Sequence, residues 1–155
     1  MKRVVALVLT AVFFIAPLAE ALDSKKAAYI GGTVPGLSEG TEGVLNTKLE
    51  DKLTFTTKTQ TLEIPYTQIE SLEYGQKAGR RGAVAVLVSP LALFSKKRKH
   101  YLTIEYKDAA GKSQAGVFEL GKEIVRTTLT IVETRSGKAM DYQDEDARKS
   151  SKGGD

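Results

Sequence analysis

His100 is the only histidine among 155 residues, and there is no cysteine. Thiol chemistry, disulfide exchange and Cys-ligated metals are therefore excluded, and a Ser-His triad or His-rich metal site has one residue to work with. Lys96, Lys97, Arg98 and Lys99 precede His100 directly, and their positive potential favours the neutral imidazole. A lone histidine there reads as an exposed residue at the start of a strand. Glu63, Glu70 and Glu73 could in principle form an acid–base pair or a hard-cation site. Strand alternation instead puts them on an outward face as solvated charge. The threonines from Thr54 to Thr61 are strand formers, with no Lys or His base at a motif spacing. Gly31-Gly32-Thr33-Val34-Pro35-Gly36 lacks the G-x-x-x-x-G-K-[ST] pattern of a phosphate loop. Gly79-Arg80-Arg81-Gly82 reads as a loop and not as the entry to a nucleotide-binding helix. No catalytic, metal-ligating or cofactor-binding residues are expected.

The one unusual segment is residues 76–100. It opens with Arg80 and Arg81, runs apolar from Ala83 to Phe94 with breaks at Ser89 and Pro90, and closes with Lys96, Lys97, Arg98 and Lys99. Twelve apolar-rich residues are too few to span a bilayer. Two readings fit. In one, Val84 to Val88 is a buried strand, Pro90 a turn, and the lysines a solvated loop. In the other, the flanking cations rest on an anionic lipid surface or an acidic partner. The candidate contact residues are then Arg80, Arg81, Lys96, Lys97, Arg98 and Lys99.

The elements around this segment follow a period of two. Ala27 to Ile30 offers a first strand, and Val44 to Thr47 and Lys52 to Thr57 follow. Lys58-Thr59-Gln60 turns the chain into Thr61 to Tyr66, where Leu62, Ile64 and Tyr66 alternate with polar or small residues. Pro65 has no N–H to donate, so it marks an edge strand or a strand end. Ile69 to Tyr74 is closed by Gly75. From Tyr101 to Tyr106, Leu102, Ile104 and Tyr106 face inward while Thr103 and Glu105 face out. Asp108-Ala109-Ala110-Gly111 makes a hairpin into Gly116 to Leu120. The period then changes to 3.6: Ile124, Val125, Thr128, Leu129, Ile131 and Val132 line one face of a helix that ends at Gly137. The polar stretch 141–155 has little to bury and reads as disordered.

The first 21 residues read as an address. Lys2 and Arg3 precede an uncharged run from Val4 to Leu18, and Ala19-Glu20-Ala21 resembles a cleavage site, the order of a secretory signal peptide. The run is short for a membrane span and carries Pro17. Cleavage after Ala21 would leave 21 basic and 18 acidic residues, a net charge of +3. That mild charge, together with export to the periplasm or beyond, argues against a nucleic-acid partner. The remaining 134 residues suffice for one domain held by its core alone.

Residues 43–137 resemble the pleckstrin-homology superfold, including its GRAM-like branch. The resemblance rests on Lys52-Leu53-Thr54-Phe55, then Ile64-Pro65-Tyr66 and Ile69-Glu70-Ser71-Leu72-Glu73-Tyr74, then the pairing of Leu102-Thr103-Ile104 with Val117-Phe118-Glu119-Leu120 before a closing helix. It implies a mainly β domain at 43–140: a partly open antiparallel barrel of two bent sheets, capped by one C-terminal amphipathic helix, after a lead-in at 22–42. Members of that superfold bind lipid head groups, peptides or proteins. Those that bind phosphoinositides place basic residues in the first hairpin loop, where Lys58-Thr59-Gln60 holds one.

The expected function is that of a non-catalytic exported binding or scaffold module that contacts an envelope protein or an anionic membrane surface through the Arg80–His100 region. The alternatives are a structural or peptide-binding domain that uses an open sheet edge, and a hydrolase with clustered acids in a cleft. On the membrane-contact reading, the chain co-sediments with anionic vesicles, and replacing Lys96, Lys97, Arg98 and Lys99 by Ser or Gln abolishes co-sedimentation. A wild-type chain left in the supernatant ends that reading.

Overall fold

Strands with one apolar side must bury that side against another layer. In a computed structural model that describes residues 26–77 and 99–152, they do so within a single sheet of eight strands. These are β1 (Ala27–Gly32), β2 (Thr41–Asn46), β3 (Lys52–Thr56), β4 (Thr61–Pro65), β5 (Ile69–Gly75), β6 (His100–Lys107), β7 (Ser113–Leu120) and β8 (Met140–Tyr142). Their order is β4-β3-β2-β1-β7-β6-β5-β8, so the sheet is not closed and β4 and β8 form its edges. The β5–β8 pair is parallel, which makes the sheet mixed where a wholly antiparallel one was expected. Two helices complete the described elements, α1 (Val125–Ser136) and α2 (Glu145–Ser151).

The core lies on one face of this curved sheet. Phe118 in β7 meets Tyr29 of β1 and Phe55 of β3 edge to face, with ring centres 5.8 and 5.2 Å apart. Such pairs add to the area they bury. Leu53, Ile64, Leu72, Leu102 and Ile104 fill the same cluster. From α1, Val125, Leu129 and Val132 close it, which is the stripe that the 3.6 period predicts. Gly137 ends α1 with a left-handed φ of 67°, its N–H donating to Glu133 O at 3.0 Å. Arg135 in the last turn donates to the carbonyls of Thr47 and Leu49 and stacks 5.6 Å from the centre of the Tyr66 ring. The helix is thereby tied to the β2–β3 connection.

Three expectations require correction. β1 is an interior strand paired with both β2 and β7, so the folded unit begins well before residue 43. Its small residues let both neighbours approach: at Gly32, with φ of 139°, a Cβ would stand 2.1 Å from Ala115 O. Second, Thr103 and Glu105 do not face water, each being 7% exposed. β6 is flanked by strands on both sides, and Glu105 accepts a hydrogen bond from Ser71 Oγ at 2.7 Å.

Third, the stretch expected to be disordered carries β8 and α2. Asp144 caps α2 by accepting from Ala147 N at 2.7 Å. Glu145 and Asp146 stand in the first turn and Arg148 and Lys149 in the last, the order the helix dipole favours. The apolar payload is small, with Ala147 fully buried and Met140 nearly so. A polar composition therefore hid the element. Residues 1–21 and the run 83–94 lie outside the described residues. Among the described residues no helix is long and apolar enough to cross a membrane.

Because Phe118 links β1, β3 and β7 in one aromatic cluster, Phe118→Ala is expected to cost about 3–5 kcal/mol. Denaturant unfolding followed by circular dichroism measures this, and a loss below about 1 kcal/mol would mean that the cluster does not hold these strands together.

Candidate functional site

The geometry of the β3–β4 hairpin decides what its free edge presents. At one end Thr57 N donates to Gln60 O at 2.9 Å, and at the other Tyr66 N donates to Asp51 O at 3.0 Å. Between them the register pairs Phe55 with Leu62 and Leu53 with Ile64. Antiparallel pairs alternate between bonded and non-bonded, so 57/60, 55/62, 53/64 and 51/66 are the bonded ones. Thr61, Glu63 and Pro65 consequently turn their backbone groups away from β3, toward the open edge. The missing N–H of Pro65 falls on that outer side, which is why a proline is tolerated there.

This edge borders a groove of about 700 Å³. One wall is β4 with Leu62, Glu63 and Pro65, continued by Gln68; the other is the β6–β7 turn with Lys107, Asp108 and Gly111. Val34 and Pro35 from the β1–β2 connection, with Tyr106 and Gln114, complete it. The turn wall is held by a chain of bonds. Thr33 Oγ1 donates to Gln114 Oε1 at 2.7 Å, and Gln114 Nε2 donates to Asp108 Oδ2 at 2.9 Å. Asp108 Oδ1 also accepts from the N–H groups of Ala110 and Lys112. These bonds, with that from Gln114 the largest contributor, hold the Asp108 carboxyl below the usual carboxylate range. Lys107 reaches Glu70 at 3.6 Å, and Ser113 Oγ donates to the same carboxylate at 3.1 Å. Burial, then the Tyr29 phenol and Asp108, push the Tyr106 phenol up to about 12.

The residues nominated from sequence are placed differently. Arg80, Arg81, Lys96, Lys97 and Arg98 lie outside the described residues. Lys99 pairs with Glu119 at 2.9 Å. His100 does start β6, but it is half-buried and its Nδ1 lies 2.6 Å from Tyr74 Oη. Ser150 Oγ is 3.2 Å from the same phenol and donates to Ala147 O. The three side chains tie α2 to the sheet. In this arrangement Ser150 meets the tyrosine and not the imidazole, so they are not arranged as a nucleophile and its base.

Of the three carboxylates on the outward-reading positions, Glu63 and Glu70 are exposed, while Glu73 is buried and accepts from Gln143 Nε2 at 3.0 Å. Among the described residues no group of three His, Asp or Glu is placed to hold a metal ion. No family model matches this chain, and no curated protein matches it significantly. The groove residues Val34, Leu62, Tyr106, Asp108 and Gln114 were missed by the sequence reading. Its one usable signal was Pro65, which marks the edge they surround.

Burial also raises the Tyr101 phenol to about 12, with the Glu119 charge adding to it. Both phenols ionise near 10 when exposed. A raised folded pKa means that the folded state holds these protons longer, so their contribution to stability is complete below pH 10 and is lost as pH rises toward 12. Burial also raises the Tyr29 phenol, so phenolate absorbance and far-ultraviolet circular dichroism followed together should show late-ionising tyrosines, Tyr101 and Tyr106 among them, whose titration coincides with loss of ellipticity. Six tyrosines ionising near pH 10 with the fold intact would contradict the burial of Tyr101 and Tyr106.

Proposed function

We propose that this chain is a non-catalytic binding module whose working surface is the open seam between β4 and the β6–β7 turn. The observation that carries this reading is the coincidence of outward-facing backbone groups at Thr61 and Glu63 with an adjoining groove of about 700 Å³. An edge strand beside a groove is the arrangement that extended peptide segments use for recognition. The mainly β architecture with a closing helix is compatible with the pleckstrin-homology superfold, and assignment to its GRAM-like branch is part of the proposal.

A hydrolase on this scaffold would need a nucleophile and base in contact, and the pairing of His100 with Tyr74 gives no support to one. Of the basic cluster, Lys99 lies among the described residues, and its ammonium is engaged by Glu119. If residues 1–21 export the chain, the partner is a protein of the cell envelope.

Selection from a random linear-peptide library, followed by amide chemical-shift mapping, tests the seam. Bound peptides should perturb Thr61, Glu63, Gln68 and the Lys107–Gly111 turn. Thr61→Pro removes one outward N–H and none of the β3–β4 backbone bonds, and Thr61→Val is the control for the exposed Thr61 Oγ1–Thr56 Oγ1 bond at 3.3 Å that it also removes. Relative to Thr61→Val, Thr61→Pro should weaken binding roughly five- to tenfold, the worth of one backbone hydrogen bond. Perturbations confined to another surface, or unchanged affinity in a folded Thr61→Pro chain, would overturn the reading.

A further inference from the structure

Resting on that reading of the seam, we infer that its occupant is an extended peptide segment of alternating apolar and basic residues, laid along β4 with a basic side chain opposite Glu63. The backbone sets the first requirement. The edge offers the N–H and C=O groups of Thr61 and Glu63, whereas Pro65 has no N–H and its C=O accepts the first bond of the 3-10 turn Tyr66–Gln68. An incoming strand that matches this row must be extended over about five residues, or roughly 17 Å.

Alternation sets the second requirement. Ile64 is buried and Leu62 packs against the core, whereas Thr61, Glu63 and Pro65 are exposed on the opposite face. A partner residue opposite Glu63 shares that outer face, with its Cβ about 5 Å away. The residues on either side of it point to the inner face, over Val34, Leu62 and Tyr106, and are therefore apolar.

Charge sets the third. Lys52 Nζ donates to Glu63 Oε2 at 3.0 Å, yet the Glu63 side chain stays 55% exposed, so the carboxylate remains presented to a strand arriving from outside. Asp108 adds a second carboxylate on the facing wall. The Lys107 ammonium on that wall is directed to Glu70. The same features argue against a second copy of this chain as the occupant. Two-fold pairing of β4 about Glu63 would set two carboxylates face to face and oppose Thr61 to the donorless Pro65. Edge strands protected by charge and proline resist self-association.

The test uses the full chain and two acetylated, amidated seven-residue peptides, one alternating valine with lysine and the other valine with glutamate. Affinity is read by fluorescence anisotropy and position by amide shifts. The chain's net charge of +4 works against the lysine peptide in general, so a preference for it reports the local site. The lysine peptide should bind at least fivefold tighter and shift Thr61 and Glu63. Glu63→Gln, an exposed isosteric change, should cut that preference at least threefold, while Glu42→Gln on β2 leaves it unaltered. Equal affinities of both peptides at the seam, or a preference that survives Glu63→Gln, overturn the inference and leave the seam reading standing. If neither peptide shifts seam amides while other extended peptides do, only the alternating basic character is wrong. If none does, both readings fall.

Discussion

An open sheet leaves two rows of backbone N–H and C=O groups with no strand to pair them, and much of this molecule's arrangement answers that constraint. At the other end β8 covers the outer edge of β5 over three residues. Gln143 N donates to Tyr74 O, its side chain bonds Glu73 and the carbonyl of Lys77, and α2 follows at once. Tyr142 packs edge to face on Tyr74, and Arg148 stacks on Tyr142. At the β4 edge the only internal answer is Pro65, which lacks the donor, and the charge of Glu63. Unpaired edges are hazards in proportion to their length and flatness. Here the exposed row is five residues long, with a carboxylate near its middle and a proline at its end. That is enough to discourage self-pairing while leaving acceptors and two donors available.

How much of this could be read from residues alone depends on what each residue had to bury. Strands with large apolar side chains at period two, such as Leu102, Ile104 and Tyr106, declared themselves, as did the Val125–Leu129–Val132 stripe. Pro65 declared an edge by its chemistry. Elements held by small or polar contacts did not. Ala27 to Ile30 reads as a strand but falls in the lead-in, outside the domain bounds, because Ala27, Ala28 and two glycines carry little hydrophobic signal, yet small side chains are what an interior strand with close neighbours on both sides requires. α2 hid for a related reason: Ala147 and Ser151 are its buried residues, and its stability comes from the Asp144 cap and the order of its charges.

The candidate groove was beyond sequence reasoning for a different reason. Its walls come from the β1–β2 connection, from β4 and from the β6–β7 turn, segments separated by 30 to 50 positions and brought together only by sheet order. No local motif records such a juxtaposition. The Thr33–Gln114–Asp108 chain shows this well, since Thr33 and Gln114 are 81 positions apart. Nothing about either residue marks it as a partner of the other until β1 and β7 pair.

The proposed binding role matches the charge pattern of the described residues. General acid–base catalysis needs a group poised near the working pH, and the resolved shifts run the other way. Tyr101 and Tyr106 are pushed toward 12 and Asp108 is held below its usual range, so each is fixed in one protonation state at neutral pH. His100, the only side chain whose ordinary range spans neutrality, is bonded to Tyr74 at the contact that seats α2. A surface whose charges are constant around neutrality, set beside a fixed row of backbone donors and acceptors, offers a partner the same pattern over a wide pH range. Constancy of that kind suits the binding role proposed above.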